Sequence, residues 1–442
     1  MSNKRSKKKN SSPPQALIRL SQCMIVKNEE KNIEKALGWA KTVAFEQIVV
    51  DTGSTDKTVE IAKRLGAKVY HFEWIDDFSA AKNHAIAQAT GNWIAFLDAD
   101  EYFSVIDAKK LMIFLKRIQT DTEMREKYLA LGCSLVNVDD NGKPAHVCEQ
   151  VRVFRNIPSI RYTARIHERL DMDIDNMVWV DEIKIIHTGY AITERKEKGR
   201  TEYNIRMIRR ELKENPEDLN LKVYLADSLK NTGNQECIAE AETLFTEIID
   251  RGIGAPVTPM LKRIAYTYFM EKYARDPSKS IEMEELCRMG LDEYPRHIDF
   301  EYFLACALNN QGEYKEAWEL LVSCEAALAE GSADLAAAAK ITADPALLFP
   351  QMVLAAQGLG DVENVIKYVT IILKADKTLQ GTLRPYIASL LKRGASTDEL
   401  ITLLKSIYDF SDHNDLLIIA QAAKDCGAIE LARKILAIAD ES

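Results

Sequence analysis

The stretch Trp93-Ile94-Ala95-Phe96-Leu97-Asp98-Ala99-Asp100-Glu101 constrains this chain most, because an apolar run stops abruptly at closely spaced carboxylates. The run reads as a buried strand, and a buried strand does not hold ionised carboxylates without compensation. The carboxylates therefore belong at the strand's exit, facing water, a cation or both. At the carboxyl end of a strand in an open α/β sheet, where ligands bind, they suit a divalent ion bridging to phosphates. Mg²⁺ usually takes one or two protein carboxylates there, with water and phosphate oxygens completing its shell. The plain alternative is a solvated turn, and the sequence upstream weighs against it.

From residue 20 onward, strand and helix patterns alternate. Leu20 to Val26 is a short apolar run broken only by Ser21 and Gln22, and Glu29 to Thr42 places Ile33, Ala36, Leu37 and Ala40 at helical spacing. Phe45 to Val50 predicts a second strand, closed by Asp51-Thr52-Gly53-Ser54-Thr55-Asp56 and followed by a helix that Gly66 stops. Lys68 to Phe72 predicts a third strand, Ser79 to Ala89 a helix, and Trp93 to Leu97 the next strand. This alternation implies a largely parallel sheet with right-handed crossovers. The loops Lys27 to Glu29, Asp51 to Asp56 and Asp98 to Glu101 then converge on one crevice at the carboxyl edge. Neither G-x-G-x-x-G nor G-x-x-x-x-G-K-[ST] occurs, which argues against a Rossmann dehydrogenase and a P-loop NTPase. Asp51 is placed to accept from a ribose or a base N–H, or else to cap the following helix.

A length of 442 residues predicts two or three domains. No apolar run reaches the roughly 18–20 residues of a membrane span. The basic stretch Lys4, Arg5, Lys7, Lys8, Lys9 lacks a following apolar segment and reads as a flexible tail over 1–17. A net charge of −9 argues against a general nucleic-acid binder. Eight scattered cysteines without a C-x-x-C pair show no zinc spacing or disulfide framework, which fits a reducing cytoplasm.

Four segments in order carry a resemblance: Cys23 to Glu30, Val49 to Thr58, Asp77-Phe78-Ser79-Ala80-Ala81-Lys82-Asn83, and Leu97 to Glu101. Together they resemble the family 2 inverting glycosyltransferases of the GT-A fold over roughly residues 18–195. The resemblance implies a nucleotide-sugar donor, usually a UDP-sugar, and Mg²⁺ or Mn²⁺. It implies donor contacts from Val26, Asn28, Glu29, Asp51, Ser54, Lys82, Asn83, Asp98 and Ala99. Asp98 and Asp100 would hold the metal–diphosphate, with Asp100 the direct ligand. Lys82 stands where many relatives have Arg, so a point charge replaces a planar fork.

Residues 128–190 continue as short strand-like runs, Lys127 to Val138 and Gln150 to Phe154, joined at an Asp139-Asp140-Asn141-Gly142 turn. Two histidine motifs follow, Arg165-Ile166-His167-Glu168 and Ile185-Ile186-His187-Thr188-Gly189-Tyr190. An inverting transfer needs a base for the acceptor, and His167 and Glu168 are both candidates. His187, leaving an apolar strand, is a candidate imidazole ligand for the same metal. Each histidine taken alone is as readily a structural residue. Arg152, Arg155 and Arg165 suit phosphate or an exposed basic face equally.

Beyond about Arg200 the strand signals vanish. Tyr224 to Asn234, Tyr302 to Tyr314 and Met352 to Asp361 each read as a small-residue helix ended by Gly233, Gly312 or Gly360, with an amphipathic helix after it. This grammar resembles tetratricopeptide repeats, although the glycines lie 79 and 48 residues apart (312 − 233 and 360 − 312). Stacked helices of this kind form a curved binding surface. The domain reading is a tail over 1–17, an α/β GT-A domain with a mixed sheet over 18–198, and an all-α repeat domain over 199–442. The repeats would dock a peptide or protein acceptor, mediate homo-oligomer formation, or simply cap the catalytic domain. A glycosyltransferase domain followed by repeats is similar to the sublancin-type peptide S-glycosyltransferases, which modify a cysteine of a bacteriocin precursor. Transfer to a surface polysaccharide, and a non-enzymatic repeat scaffold, are the competing readings.

Overall fold

The computed structural model describes residues 17–139, 142–188, 198–330, 340–379 and 381–441. The chain divides into two compact units, Met1–Glu242 and Thr243–Ser442. In the first, strands β1 (Leu20–Val26), β2 (Glu46–Asp51), β3 (Lys68–His71) and β4 (Trp93–Phe96) are separated by helices α1 (Ile33–Gly38), α2 (Thr58–Arg64) and α3 (Phe78–Ala87). There follow β5 (Glu101–Phe103), α4 (Val105–Thr120), α5 (Thr122–Lys127), β6 (Ala130–Val138), β7 (Pro144–Arg155), β8 (Tyr162–Thr163), β9 (Arg169–Leu170) and β10 (Met177–His187). Helices α6 (Lys198–Glu214) and α7 (Leu219–Lys230) complete the unit, and the division falls inside α8 (Gln235–Asp250).

Eight strands form one mixed sheet in the order β3-β2-β1-β4-β7-β6-β10-β5, with a two-stranded β8-β9 ribbon beside it. The expected parallel pairing holds across β3, β2, β1 and β4, whereas β7 runs antiparallel to both β4 and β6. Parallel strands need both faces covered, which makes them continuously apolar. Along β4 and just beyond it, Trp93, Ala95 and Leu97 join one cluster with Leu111 and Leu115 of α4. Ile94 and Phe96 join another with Ala85 and Ile86 of α3. The polar breaks in β1 are satisfied internally. Gln22 donates to Ala36 O at 2.7 Å, and Ser21 Oγ donates to Glu46 at 2.7 Å. Glu46 also accepts from Thr90 N at 2.6 Å and Lys68 Nζ at 2.7 Å, tying the start of β2 to the turn before β4. Gly91 in that turn has no room for a side chain, since a Cβ there would lie 2.4 Å from Arg19 O.

The register puts Val26 beside Asp51 and Cys23 beside Phe96, so β1, β2 and β4 end at one edge of the sheet. There the predicted loops meet. Asp139 of the predicted turn and Gly142 are described; Asp140 and Asn141 lie outside the described residues, as do Gly189 and Tyr190 of the second histidine motif.

In the second unit, α9 (Pro259–Tyr273), α10 (Ser280–Glu293), α11 (Ile298–Gln311), α12 (Tyr314–Glu330), α13 (Leu348–Leu359), α14 (Val362–Ala375), α15 (Leu383–Lys392), α16 (Thr397–Lys405), α17 (His413–Asp425) and α18 (Ile429–Glu441) follow one another without a strand among the described residues. Gly312 and Gly360 end α11 and α13 at φ of 86° and 71°, the left-handed stop that their positions in the pattern predict.

Candidate active site

The loops after β1 and β2 are stitched together. Val26 O accepts from Thr52 N (2.9 Å) and Thr52 Oγ1 (3.0 Å), and Asn28 N donates to Ser54 Oγ (2.9 Å). Thr55 N donates to Asn28 Oδ1 (2.8 Å), and Glu29 N donates to Thr58 Oγ1 (2.7 Å). Asn28 sits at φ 60°, a left-handed conformation that Asn tolerates better than most side chains. Asp51 is buried; it accepts from Ser54 N (3.0 Å) and Gly53 N (3.3 Å) and faces His71 Nδ1 at 3.3 Å. It thus shapes its own loop rather than capping α2, whose first residue Thr58 donates its N–H to Asp56 Oδ1 at 2.9 Å. Ala99 packs into the apolar cluster of Val26 and Ile33 beneath this loop.

The carboxylates after β4 divide into two sets. Asp98 lies between two cations, Lys82 Nζ at 3.3 Å and Arg152 Nη2 at 3.4 Å. Burial opposes its charge, yet these neighbours hold Asp98 down to about 2. Arg152 is locked by Glu101, which it grips through Nε (2.8 Å) and Nη2 (2.7 Å) in a bidentate pair. Glu101 is therefore a buried counter-ion in edge strand β5 rather than part of an exposed turn. Lys82 is buried, and burial works against its charge. Asp98 and Glu168, the latter at 2.7 Å, nevertheless raise it, and its ammonium lies 5.1 Å from both the Phe96 and Tyr162 ring centroids. The carboxylate of Asp77 caps α3 from outside by accepting from Ala80 N at 2.8 Å, which fixes the helix that carries Lys82. Asn83, one residue on, is committed to the backbone of Tyr162 through bonds of 2.8 and 2.9 Å.

Asp100 stands apart from these cations. Its Oδ2 is 3.2 Å from His187 Nε2, and its backbone oxygen accepts from Thr188 N at 3.0 Å. The other ring nitrogen of His187, Nδ1, is 2.6 Å from Asn137 Oδ1. A carbonyl oxygen only accepts, so Nδ1 carries a proton and Nε2 is directed at Asp100. Burial opposes protonation of His187, but Asp100, with Glu101 and Asp98 behind it, outweighs that and raises it. Among the described residues no group of three or more His, Cys, Asp or Glu side chains is arranged to hold a metal. Asp100 and His187 offer two ligands, one oxygen and one nitrogen, and the donor set fits Mn²⁺ at least as well as Mg²⁺. The rest of such a shell would come from water and phosphate oxygens.

On the other side of Lys82, the segment from Tyr162 to Glu168 has two non-glycine residues in the left-handed region, Ala164 at φ 71° and His167 at φ 53°. Each costs roughly 1–3 kcal/mol, which surrounding contacts must offset. Phe78 N donates to Arg165 O at 2.9 Å, and Ser79 Oγ donates to Ala164 O. Of the adjacent candidates, Glu168 is the one turned toward Lys82. His167 lies flat on Tyr224 of α7, with centroids 3.7 Å apart. Burial lowers its basicity, and its Nε2 is buried with no hydrogen-bond partner among the described residues. Arg155 donates to the backbone of Tyr128 and Arg125, and Arg165 pairs with Glu211 and Glu214, so neither joins the cluster around Asp98.

Several of these partners escape a reading of the sequence: Asn137, Tyr162, His71 and Tyr224. Arg152 left a usable signal, because a charged residue within a strand-like run demands a counter-ion.

The mixed sheet, with its carboxylate-bearing loops gathered at the edge where the parallel strands end, is of GT-A type. Residues 21–124 match the family described as Glycosyl transferase family 2. A TPR repeat-containing protein of Synechococcus elongatus is 32% identical over 232 residues, covering 50% of this chain and 54% of that one. The SPbeta prophage-derived glycosyltransferase SunS of Bacillus subtilis is 28% identical over 200 residues, covering 44% of this chain and 45% of that one. The chain thus spans about half the length of the curated relatives it matches. Among solved structures, that of S. aureus TarS aligns with a TM-score of 0.34 and 16% identity, over 56% of this chain and 52% of that one. No helix among the described residues is long and apolar enough to cross a membrane.

Proposed function

We propose that this protein is a metal-dependent inverting glycosyltransferase that moves a hexose from a nucleotide sugar, with UDP the favoured carrier, to a Cys, Ser or Thr side chain of a peptide or protein. The observation that carries the reading is the chain of contacts Arg152–Asp98–Lys82–Glu168, which joins the carboxylates after β4 to a carboxylate on the far side of the crevice. Asp51 and the loop around Ser54 would receive the nucleoside, with Val26, Asn28 and Glu29 holding that loop in shape. Lys82 and Arg152 are placed to exchange part of their hold on Asp98 for the diphosphate oxygens. Asp100 and His187 would hold Mg²⁺ or Mn²⁺, which supplies charge neutralisation to the departing diphosphate.

Glu168 is the base we assign. Its carboxylate would take the proton of the acceptor hydroxyl or thiol as that atom attacks the anomeric carbon, and the bond to the diphosphate breaks on the opposite face. His167, engaged on Tyr224, supports Glu168 rather than the substrate. The similarity to a glycosyltransferase at 28% identity supports sugar transfer, and the acceptor class rests on the resemblance to peptide-modifying enzymes.

Purified full-length protein should release UDP from one of UDP-glucose, UDP-galactose or UDP-N-acetylglucosamine in the presence of Mn²⁺, and faster with an acceptor peptide. No release from any donor, together with no donor-induced thermal shift, would sink the proposal. Release accelerated by a glycan and by no peptide would redirect it to a polysaccharide acceptor.

A further inference from the structure

The segment bearing Glu168 is gripped from two sides, and only one of them belongs to the sheet. On the sheet side, α3 holds it through Phe78 N on Arg165 O, Ser79 Oγ on Ala164 O and Asn83 on Tyr162. On the other side, Arg165 Nε is 3.3 Å from Glu211 and its Nη2 is 3.1 Å from both oxygens of Glu214, two residues of α6. The His167 ring stacks on Tyr224 of α7 with planes 3° apart. Arg169 lies 4.0 Å from Asp218, whose carboxylate also caps α7 at Leu221 N. Two left-handed residues make this backbone dependent on outside contacts, and α6 and α7 supply half of them.

We infer that α6 and α7 are a working part of the catalytic site, with Tyr224 as a positioning residue that aims Glu168 by bearing on His167. The inference rests on the assignment of Glu168 as base. It gives the first two post-sheet helices a role distinct from docking an acceptor: they fix the reach of the base, whatever the acceptor is. The Tyr224 ring covers one face of the His167 imidazole at 3.7 Å, so the imidazole cannot move toward α7 while Tyr224 stays in place.

Hydrogen exchange on the full-length chain tests the grip without requiring activity. In Tyr224→Ala, amides of residues 164–170 should exchange roughly two- to tenfold faster, the scale of one lost aromatic pair. Amides of β1 and β4 should keep their rates, and Tyr224→Phe should match the parent chain throughout. Unchanged exchange at 164–170 in Tyr224→Ala would overturn the inference. If that variant is insoluble, Glu214→Gln reads the same segment through Arg165, with the same two outcomes. Turnover is then followed as UDP release from UDP-glucose, UDP-galactose and UDP-N-acetylglucosamine with Mn²⁺. The expected result is a lower kcat at unchanged donor KM in Tyr224→Ala, restored in Tyr224→Phe. Faster exchange with undiminished kcat would overturn the positioning role. Faster exchange in a chain that releases no UDP at all would uphold the grip and count against the sugar-transfer reading.

Discussion

Each unit of this protein buries a lysine almost completely, Lys82 at 2% exposure and Lys262 at 1%, and the two are used differently. In the helical unit, Lys262 donates to Gly252 O and to Glu293, at 2.6 Å to Oε2, and the hydroxyls of Tyr266 and Tyr294 close over the same carboxylate at 3.4 and 3.3 Å. The pair is sealed by its own neighbours, which is how a buried charge becomes structure. In the α/β unit, Lys82 reaches two carboxylates on separate elements, and one of them, Asp98, keeps 42% of its side chain open to solvent. A second cation, Arg152, waits on that open carboxylate. Burial of charge therefore does not mark a site by itself. A buried cation whose partner still faces solvent does, because an incoming anion can share it.

The largest break would come at the far end of the Lys82 chain. Glu168→Gln should cut sugar transfer roughly 10²–10⁴-fold, the range of one general base, with a lowered melting temperature because Lys82 loses one of its two carboxylates; near-parental turnover would remove Glu168 as base. The lysines themselves should then separate. Lys82→Met should lower UDP release roughly 10²-fold and cost less stability than the same change at the lysine of the helical unit, since Asp98 keeps Arg152 and water and only Glu168 loses its partner. Lys262→Met should leave turnover of the folded protein intact but cost about 3–5 kcal/mol by stranding Glu293, read by denaturant unfolding. If both variants lost stability equally and neither lost activity, the contrast would collapse.

A third, smaller effect lies at Asp100 and His187, the proposed metal ligands. Asn137→Ala should weaken Mn²⁺ binding roughly 10–100-fold by freeing the His187 ring, measured by titration of metal-dependent turnover. Because His187 is raised, Mn²⁺ must displace its proton, and affinity should be lower at pH 6 than at pH 8. The smallest effect is one of pH and stability. Glu46, against whose charge burial works, is held down from 4.5 to about 2 by Lys68, Thr90 and Ser21. Its folded value lies below its unfolded one, so its stabilisation is present above about 4.5 and is lost as pH falls toward 2. Glu46→Gln should flatten that part of the acid profile and cost about 1–3 kcal/mol at pH 7, followed by thermal melts across pH.

The strands of the parallel edge were legible because burial on both faces leaves a continuous apolar run, as in Trp93–Leu97. The three loops were legible because such runs end in polar residues at a common edge. The helical half announced itself through glycine stops, which left-handed geometry makes hard to replace. What could not be read was pairing across long separations. Glu101 and Arg152 are 51 residues apart, and His187 and Asn137 are 50. No local pattern links them. The same holds for α7, whose pattern predicts a helix ended by Gly233 but not that Tyr224 would lie under His167.

The sequence by itself determined the main element types and the convergence of three loops, since periodicity and chain direction are local properties. Tertiary structure alone decided their division of labour. Asp98 became the partner of two cations, Asp100 the neighbour of an imidazole, and Glu168 the partner of Lys82 while His167 turned to a helix. The physical reason is that a carboxylate's role depends on which charges lie within a few ångströms of it, and those come from strands and helices that meet only when the chain folds.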